Sequence, residues 1–259
     1  MSRKRRIGVD LSKWNGVIDY TTFAPAGIEF VYIKCANGAG GVDPLFKANW
    51  QASKGVIPRG AYLWFTDEDP FAQADHIIKV LQDAGDMGEL SIAVDFEEPS
   101  TKYRGTVLLD RLRICLARIH AVTGRPPKLY TGNWYWQGYV GLDAQDIVEA
   151  YPLWLAQYPR LHIDNPRQCG VDPPVLPKPN CPTPWATRAL DPETWQFDGD
   201  HGCVLPSGVD ADFNEYLGDD FDAFCGVEAM PETMPGADAN PFPLNMSIQE
   251  SNGDSGKTS

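Results

Sequence analysis

Apolar and polar residues alternate at period two in several short runs, and each run predicts a strand. In Ile7 to Ser12, the residues Ile7, Val9 and Leu11 face one way and Gly8, Asp10 and Ser12 the other. Glu29 to Ala36 and Pro58 to Phe65 predict the second and third strands, the third with Tyr62 and Trp64 on one face. Ser91 to Glu98 predicts the fourth, with Ile92, Val94 and Phe96 on one face and Ala93, Asp95 and Glu97 on the other. Pro127 to Trp134, Leu153 to Tyr158, Thr194 to Phe197 and Gly208 to Asn214 predict the rest. The last run sets Asp210, Asp212 and Asn214 against Val209, Ala211 and Phe213.

Helices are expected between the early strands. Asp19 to Ala26 suits a short one, and Phe46 to Gly55 ends on a glycine stop. Pro70 to Ala84 carries its proline at the start, and Thr106 to Thr123 is closed by Gly124 and Pro126. After the fifth strand the helical period fades. Residues 160–192 are rich in proline and aperiodic, which predicts a long loop. From Val227 on, Pro, Gly, Asn, Ser and acids dominate, the composition of a disordered tail. The expected organisation is a basic tip at 1–6, one domain at 7–226 containing the 160–192 insertion, and an acidic tail at 227–259. Five strand–helix units followed by three strands with little helix predict the α/β class. The expected architecture is an irregular TIM-like barrel of mainly parallel strands.

Composition narrows the function classes. Lys and Arg number 22 against 35 Asp and Glu, a net charge of −13. Phosphate binding wants a basic face, so nucleic acid is not expected as a partner. No apolar run approaches the length of a membrane span, so no membrane insertion is expected. The start Met-Ser-Arg-Lys-Arg-Arg is charged like a signal peptide's front, but Asp10, Lys13 and Asn15 interrupt any apolar region after it, and export by that route is not expected. Six cysteines in 259 residues fall short of a disulfide scaffold. Cys35 and Cys115 sit in apolar patterns and are expected to be free. Cys169 with Cys181, and Cys203 with Cys225, are possible bridges. No CxxC or HExxH spacing points to a metal. The loop after the second strand is no dinucleotide fingerprint, because the third glycine would fall at Asp43.

The acids carry the candidate chemistry. Asp95 and Glu97 are two apart on one strand, which places their Cβ atoms about 6.5–7 Å apart on the same face. Paired carboxylates repel, so one holds its proton to higher pH. A protonated acid beside an ionised one is what glycosidic bond cleavage uses. Solvated acids at a strand end would read the same way in isolation. In a barrel, however, Asp10, Asp95, Glu97 and Asp212 all fall near the strand ends where active sites form. Trp14, Tyr62, Trp64, Tyr130, Trp154 and Trp195 lie in or beside the same strands. Each alone suits a core; together, beside acids, they suit a saccharide cleft.

At this level of detail the chain resembles glycoside hydrolase family 25, the Chalaropsis-type lysozymes. The resemblance runs in order through Gly8-Val9-Asp10-Leu11-Ser12 with Trp14, Gly16 and Ile18-Asp19, then Phe30-Val31-Tyr32-Ile33-Lys34, Gly60-Ala61-Tyr62 and Val94-Asp95-Phe96-Glu97. It continues through Leu129-Tyr130-Thr131, Pro152 to Tyr158, Trp195-Gln196 and Asp212-Phe213-Asn214. It spans about residues 7–220. It implies five β/α units plus three strands, and hydrolysis of the β-1,4 bond between N-acetylmuramic acid and N-acetylglucosamine in peptidoglycan. By the same resemblance Glu97 is the general acid and Asp95 its partner, as nucleophile or as orienter of the substrate's N-acetyl group. Asp10 and Asp212 line the cleft, and Tyr62 and Trp154 contact sugar. Asn37 stands where the family often has Glu, and Leu63 where it often has His; the 160–192 insertion has no obvious counterpart. The chemistry needs no cofactor, and a monomer is expected. Family habit and the basic, interrupted start suggest an endolysin made in the cytoplasm and released to the wall through a holin. The rival readings are a non-catalytic wall-binding module, a chitinase-like hydrolase on the same barrel, and a structural virion component.

Overall fold

The computed structural model describes residues 4–159, 169–170, 176–199 and 202–226. The expected tail at 227–259, part of the basic tip and much of the proline-rich insertion lie outside the described residues.

Strands β1 (Arg6–Leu11), β2 (Ile28–Asn37), β3 (Gly41–Val42), β4 (Arg59–Trp64), β5 (Ala93–Asp95), β6 (Lys128–Gly132), β7 (Leu153–Ala156), β8 (Thr194–Asp198) and β9 (Asp212–Tyr216) form one sheet. Its order is β1-β9-β8-β7-β6-β5-β4-β2, and β1 pairs back onto β2, so the sheet closes on itself. The short β3 pairs with β2 alone and stands outside the ring. The ring is parallel from β1 through β2 and β4 to β8, whereas β9 runs antiparallel to both β8 and β1. A parallel strand needs a crossover connection, usually a helix. The β8–β9 connection carries none in its described residues.

Helices α1 (Phe46–Ser53), α2 (Pro70–Ala84) and α3 (Gly105–Thr123) cover the first half of the ring. The Asp69 carboxylate accepts the Ala72 N–H at 2.8 Å, Pro70 opens α2, and Gly85 at φ 100° ends it. Ala74, Ile77, Ile78 and Leu81 form its buried stripe at helical spacing. In the second half the elements are short: α4 (Asn133–Tyr135) running into a π turn (Trp136–Val140), α5 (Gln145–Ala150) and α6 (Thr183–Ala186). These short pieces agree with the expectation of little helix in the second half, while α6 adds one helical turn within the 160–192 segment expected to be a long loop. Elements of three to six residues are too short to print a period. The helix expected at 19–26 is only a single turn, Tyr20–Thr22, held by the Asp19 carboxylate on Thr21 N.

Two apolar layers result. The larger lies between ring and helices and includes Val9, Val31, Leu63, Val94, Leu129, Leu155 and Phe213. The smaller fills the ring, with Phe30, Tyr32, Tyr62, Tyr130, Trp154 and Tyr216. Gly8 and Gly60 make room for it, since a Cβ at either would overlap the Phe30 or Tyr32 ring. A last helix, α7 (Phe221–Phe224), closes the end of the ring where the parallel strands begin. Phe224 packs 5.2 Å from Phe30 and 4.4 Å from Tyr216, and the Arg6 guanidinium lies 4.6 Å over Phe221. One end of the barrel interior is therefore plugged by aromatics.

The cysteine expectation is corrected. Cys169 bridges Cys203, with Cα atoms 5.5 Å apart and a sequence separation of 34. Cys181 and Cys225 are buried and free, as are Cys35 and Cys115. The expected pairs were neighbours in sequence, but Cys225 belongs to the aromatic plug while the chain around Cys169 meets that around Cys203.

Candidate active site

Asp10, Tyr62, Trp64, Asp95, Glu97, Tyr130, Trp154, Gln196 and Asp212 line one pocket of about 70 Å³ at the open end of the ring. Alternation explains the convergence. Leu11, Val94 and Leu129 turn outward to the helices, so their neighbours Asp10, Asp95 and Tyr130 turn inward. Asp212 arrives differently from expectation. It begins the antiparallel β9 rather than ending a parallel strand, and it faces Asp10 in register. Reversal of the strand brings its first residue to the same end as the last residues of its neighbours.

Ladder pairing in β5 stops at Asp95, sooner than Ser91 to Glu98 implied. Glu97 is nevertheless fixed from just below, because Phe96 N–H donates to Tyr130 O at 2.9 Å and Thr131 Oγ1 donates to Phe96 O at 2.9 Å. Beside it, Trp64 Nε1 donates to Glu98 at 3.1 Å and Tyr135 OH to Glu98 O at 2.8 Å.

Two of the expected sugar-contacting residues lie elsewhere. Trp195 is 2% exposed, belongs to the outer apolar layer and donates its indole N–H to Gln157 O at 2.7 Å. It sits on the wrong face of β8 to line the pocket. Its neighbour Gln196 takes that place. Trp14 is 83% exposed in the turn after β1 and does not line the pocket.

Gln196 was the residue that sequence reasoning passed over, and it organises the floor. Its Nε2 donates to Asp10 Oδ2 at 2.8 Å, while Tyr130 and Tyr158 donate to its Oε1 at 2.7 and 2.6 Å. Asn214 Nδ2 donates to the same Asp10 oxygen at 2.8 Å. Trp154 fixes that amide by donating its indole N–H to Asn214 Oδ1 at 2.7 Å; an indole can only donate, so the orientation follows. Asp10 Oδ2 thus accepts two amide donors. The signal for Gln196 was present in the alternation of Thr194, Gln196 and Asp198.

Electrostatics set the protonation. Burial and then the charge of Asp10 raise the Glu97 carboxyl to about 7, with Lys34 opposing. Burial, followed by Glu97, holds Asp95 well above the ordinary carboxylate range, again with Lys34 opposing. Asp95 is 6% exposed, and its Oδ1 has no hydrogen-bond partner. The two acids titrate as a pair. Between them they keep a proton at neutral pH. Tyr62 and Tyr130 stay neutral, because burial and the surrounding acids push their phenols up. Among the described residues no cluster of His, Cys, Asp and Glu is arranged to hold a metal.

The profile of glycosyl hydrolases family 25 matches residues 9–173. The chain belongs to that family. The match takes in Asp10, Asp95 and Glu97 and stops within the proline-rich insertion, short of Gln196 and Asp212. Among curated relatives, an uncharacterized protein YegX of Escherichia coli K12 is 29% identical over 167 residues, covering 61% of this chain and 58% of that protein. N,O-diacetylmuramidase of Chalaropsis sp. is 27% identical over 161 residues, covering 58% of this chain and 76% of that one. The chain thus spans less than two thirds of the E. coli K12 relative. Among solved structures, a bacterial lysozyme from Streptomyces coelicolor superposes with a TM-score of 0.67 at 23% identity, over 88% of this chain and all of that one. The catalytic domain of endolysin ply40 from a Listeria phage gives 0.66 at 20% identity, over 87% and 100%. At these identities the superpositions establish the family's barrel fold.

Proposed function

We propose that the protein is a muramidase that hydrolyses the β-1,4 bond between N-acetylmuramic acid and N-acetylglucosamine in peptidoglycan. The observation that carries the reading is the convergence of four acids in one pocket, one of them, Glu97, able to stay protonated at neutral pH.

Glu97 acts as the general acid. Its carboxyl proton passes to the glycosidic oxygen as the bond from that oxygen to the anomeric carbon breaks. Asp95 stabilises the positive charge that develops at that carbon, either by attacking it or by orienting the substrate's own N-acetyl oxygen to do so. Asp95 Oδ1, buried and without a donor, is free to accept an N–H from the acetamido group. Water then completes the hydrolysis, with Glu97 taking back a proton. Asp10 and Asp212 line the same pocket, and Asp10 acts by its charge on Glu97. Trp64 and Tyr62 offer aromatic faces to sugar rings, and Trp14 stands exposed beyond the pocket as a further platform.

Action on the wall suits the Cys169–Cys203 bridge, since disulfides persist outside the reducing cytoplasm. Release through a holin-type pore and a monomeric state complete the proposal. Cell fractionation and light scattering test these two points. Turbidity loss of a bacterial suspension separates hydrolysis from mere wall binding, and chitin as substrate separates the chitinase-like rival. The decisive variant is Glu97→Gln on purified wall. A fall in rate of at least about a hundredfold is expected for loss of a general acid. A rate within tenfold of the parent would remove Glu97 from that role.

A further inference from the structure

The acid pocket is small. Its volume of about 70 Å³ is far below the roughly 300–1,000 Å³ of sites that enclose a small ligand. A polysaccharide therefore rests on the rim, with only its reacting groups over the acids. One large side chain on that rim lies outside the pocket lining. Trp134 is 57% exposed and stands in α4, two residues past the end of β6.

Its ring is seated rather than loose. Leu129 faces the outer layer and Tyr130 the pocket, so Gly132 shares the inward face with Tyr130 and sits about 7 Å nearer the open end. A Cβ at Gly132 would stand 2.6 Å from Trp134 Nε1 and 2.8 Å from Trp134 Cδ1. The indole thus occupies the place of an inward side chain at Gly132, on the mouth side of Tyr130. Glycine inside a strand weakens it, and close approach of another group is a usual reason for its presence. Ala156, in register with Gly132 and also facing inward, adds a second small residue to the same shelf. Tyr135 packs against the indole at a steep angle, with ring centres 5.5 Å apart and planes at 81°.

The acids stand between this ring and Trp64. Trp64 of β4 is in register with Asp95 of β5, and Asp95 with Tyr130 of β6. The strands that carry the two tryptophans are therefore two ladder spacings apart, about 9–10 Å, with the acid pair on the strand between them. Glu98 ties the two sides together. Trp64 donates to its carboxylate at 3.1 Å, and Tyr135 donates to its carbonyl oxygen at 2.8 Å. Cleavage between two sugars leaves one ring on each side of the acids.

We propose that Trp134 is a sugar-stacking platform: its exposed indole, seated on Gly132, receives a pyranose ring of the glycan on the side of the acid pair away from Trp64. The flat face of the indole matches the apolar face of a pyranose. That the pyranose belongs to peptidoglycan rests on the muramidase reading; the placement of the ring does not.

The test compares Trp134→Ala and Trp134→Phe with wild type on soluble peptidoglycan glycan strands. Trp134→Ala should raise KM at least about fivefold and leave both limbs of the pH profile in place, since no charge is removed. Trp134→Phe keeps a flat ring and should recover most of the loss. A KM within about twofold of wild type for Trp134→Ala, or equal losses in the two variants, would overturn the proposal. Gly132→Ala keeps the indole but fills its seat, and should raise KM as well; an unchanged KM there would equally overturn it. Binding of the same strands to Glu97→Gln, followed by isothermal titration calorimetry, should weaken at least about fivefold when Trp134→Ala is added. Unchanged or undetectable binding would overturn the platform. If wild type releases no fragments, the muramidase reading fails, and the titration still decides the platform.

Discussion

Removing the charge of Asp10 should lower the pH at which the enzyme loses activity. Glu97 must be protonated to act, so its rate is lost as pH rises through its pKa. Burial and then Asp10 raise that carboxyl from 4.5 to about 7. Asp10→Asn keeps the shape of the side chain and an acceptor for the Gln196 and Asn214 amides. A neighbouring charge of this kind is worth on the order of one pKa unit, about 1.4 kcal/mol. With Glu97 near 7, about a tenth is protonated at about pH 8; one unit lower, about a hundredth. At about pH 5 both forms are almost fully protonated. The ratio of variant to parent rate should therefore fall about tenfold between about pH 5 and about pH 8. The assay is initial release of soluble muropeptides from purified wall at constant ionic strength. A ratio that stays constant with pH would refute the reasoning, since a purely structural or substrate-contacting Asp10 would scale the rate alike at every pH.

The same protonation appears in stability. A carboxyl whose folded pKa is raised binds more protons folded than unfolded between the two values, so stability falls as pH rises from about 4.5 to about 7. Glu97→Gln removes this penalty. Because Glu97 is partly exposed, screening reduces the gain to about 1–2 kcal/mol above about pH 7, with no gain at about pH 4; urea unfolding at both pH values measures it. Trp64→Ala should raise KM several-fold with the fold intact. Trp195→Ala should instead cost about 3–5 kcal/mol of stability, and thermal melts beside kinetics separate the two. Phe224→Ala should cost about 2–3 kcal/mol by opening the plug, with the positions of both limbs of the pH profile unchanged.

The residues that were legible in the sequence are those whose position follows from alternation. Asp10, Asp95 and Glu97 share the faces that Val9, Val94 and Phe96 leave, and the strand-end rule of barrels brings them together. Helices α2 and α3 announced themselves by Pro70, Gly124 and Pro126 and by long apolar stripes. Parity also exposed the error at β8. Trp195 was preferred because it is aromatic, although Gln196 shares its face with Thr194. Chemical identity overrode geometry there. The Cys169–Cys203 bridge was hidden for a different reason, since cysteine spacing does not encode connectivity. Helices as short as α5 and α6 are decided by packing against the ring, which no local period records.

The most direct measurement is the identity of the new reducing ends after exhaustive digestion of purified peptidoglycan. Reduction with borohydride followed by acid hydrolysis and sugar analysis reads it. The account requires reduced muramic acid to accumulate with wild-type protein and to form at least about a hundredfold more slowly with Glu97→Gln. Reduced glucosamine in its place, or no new ends while wall still binds, would contradict it.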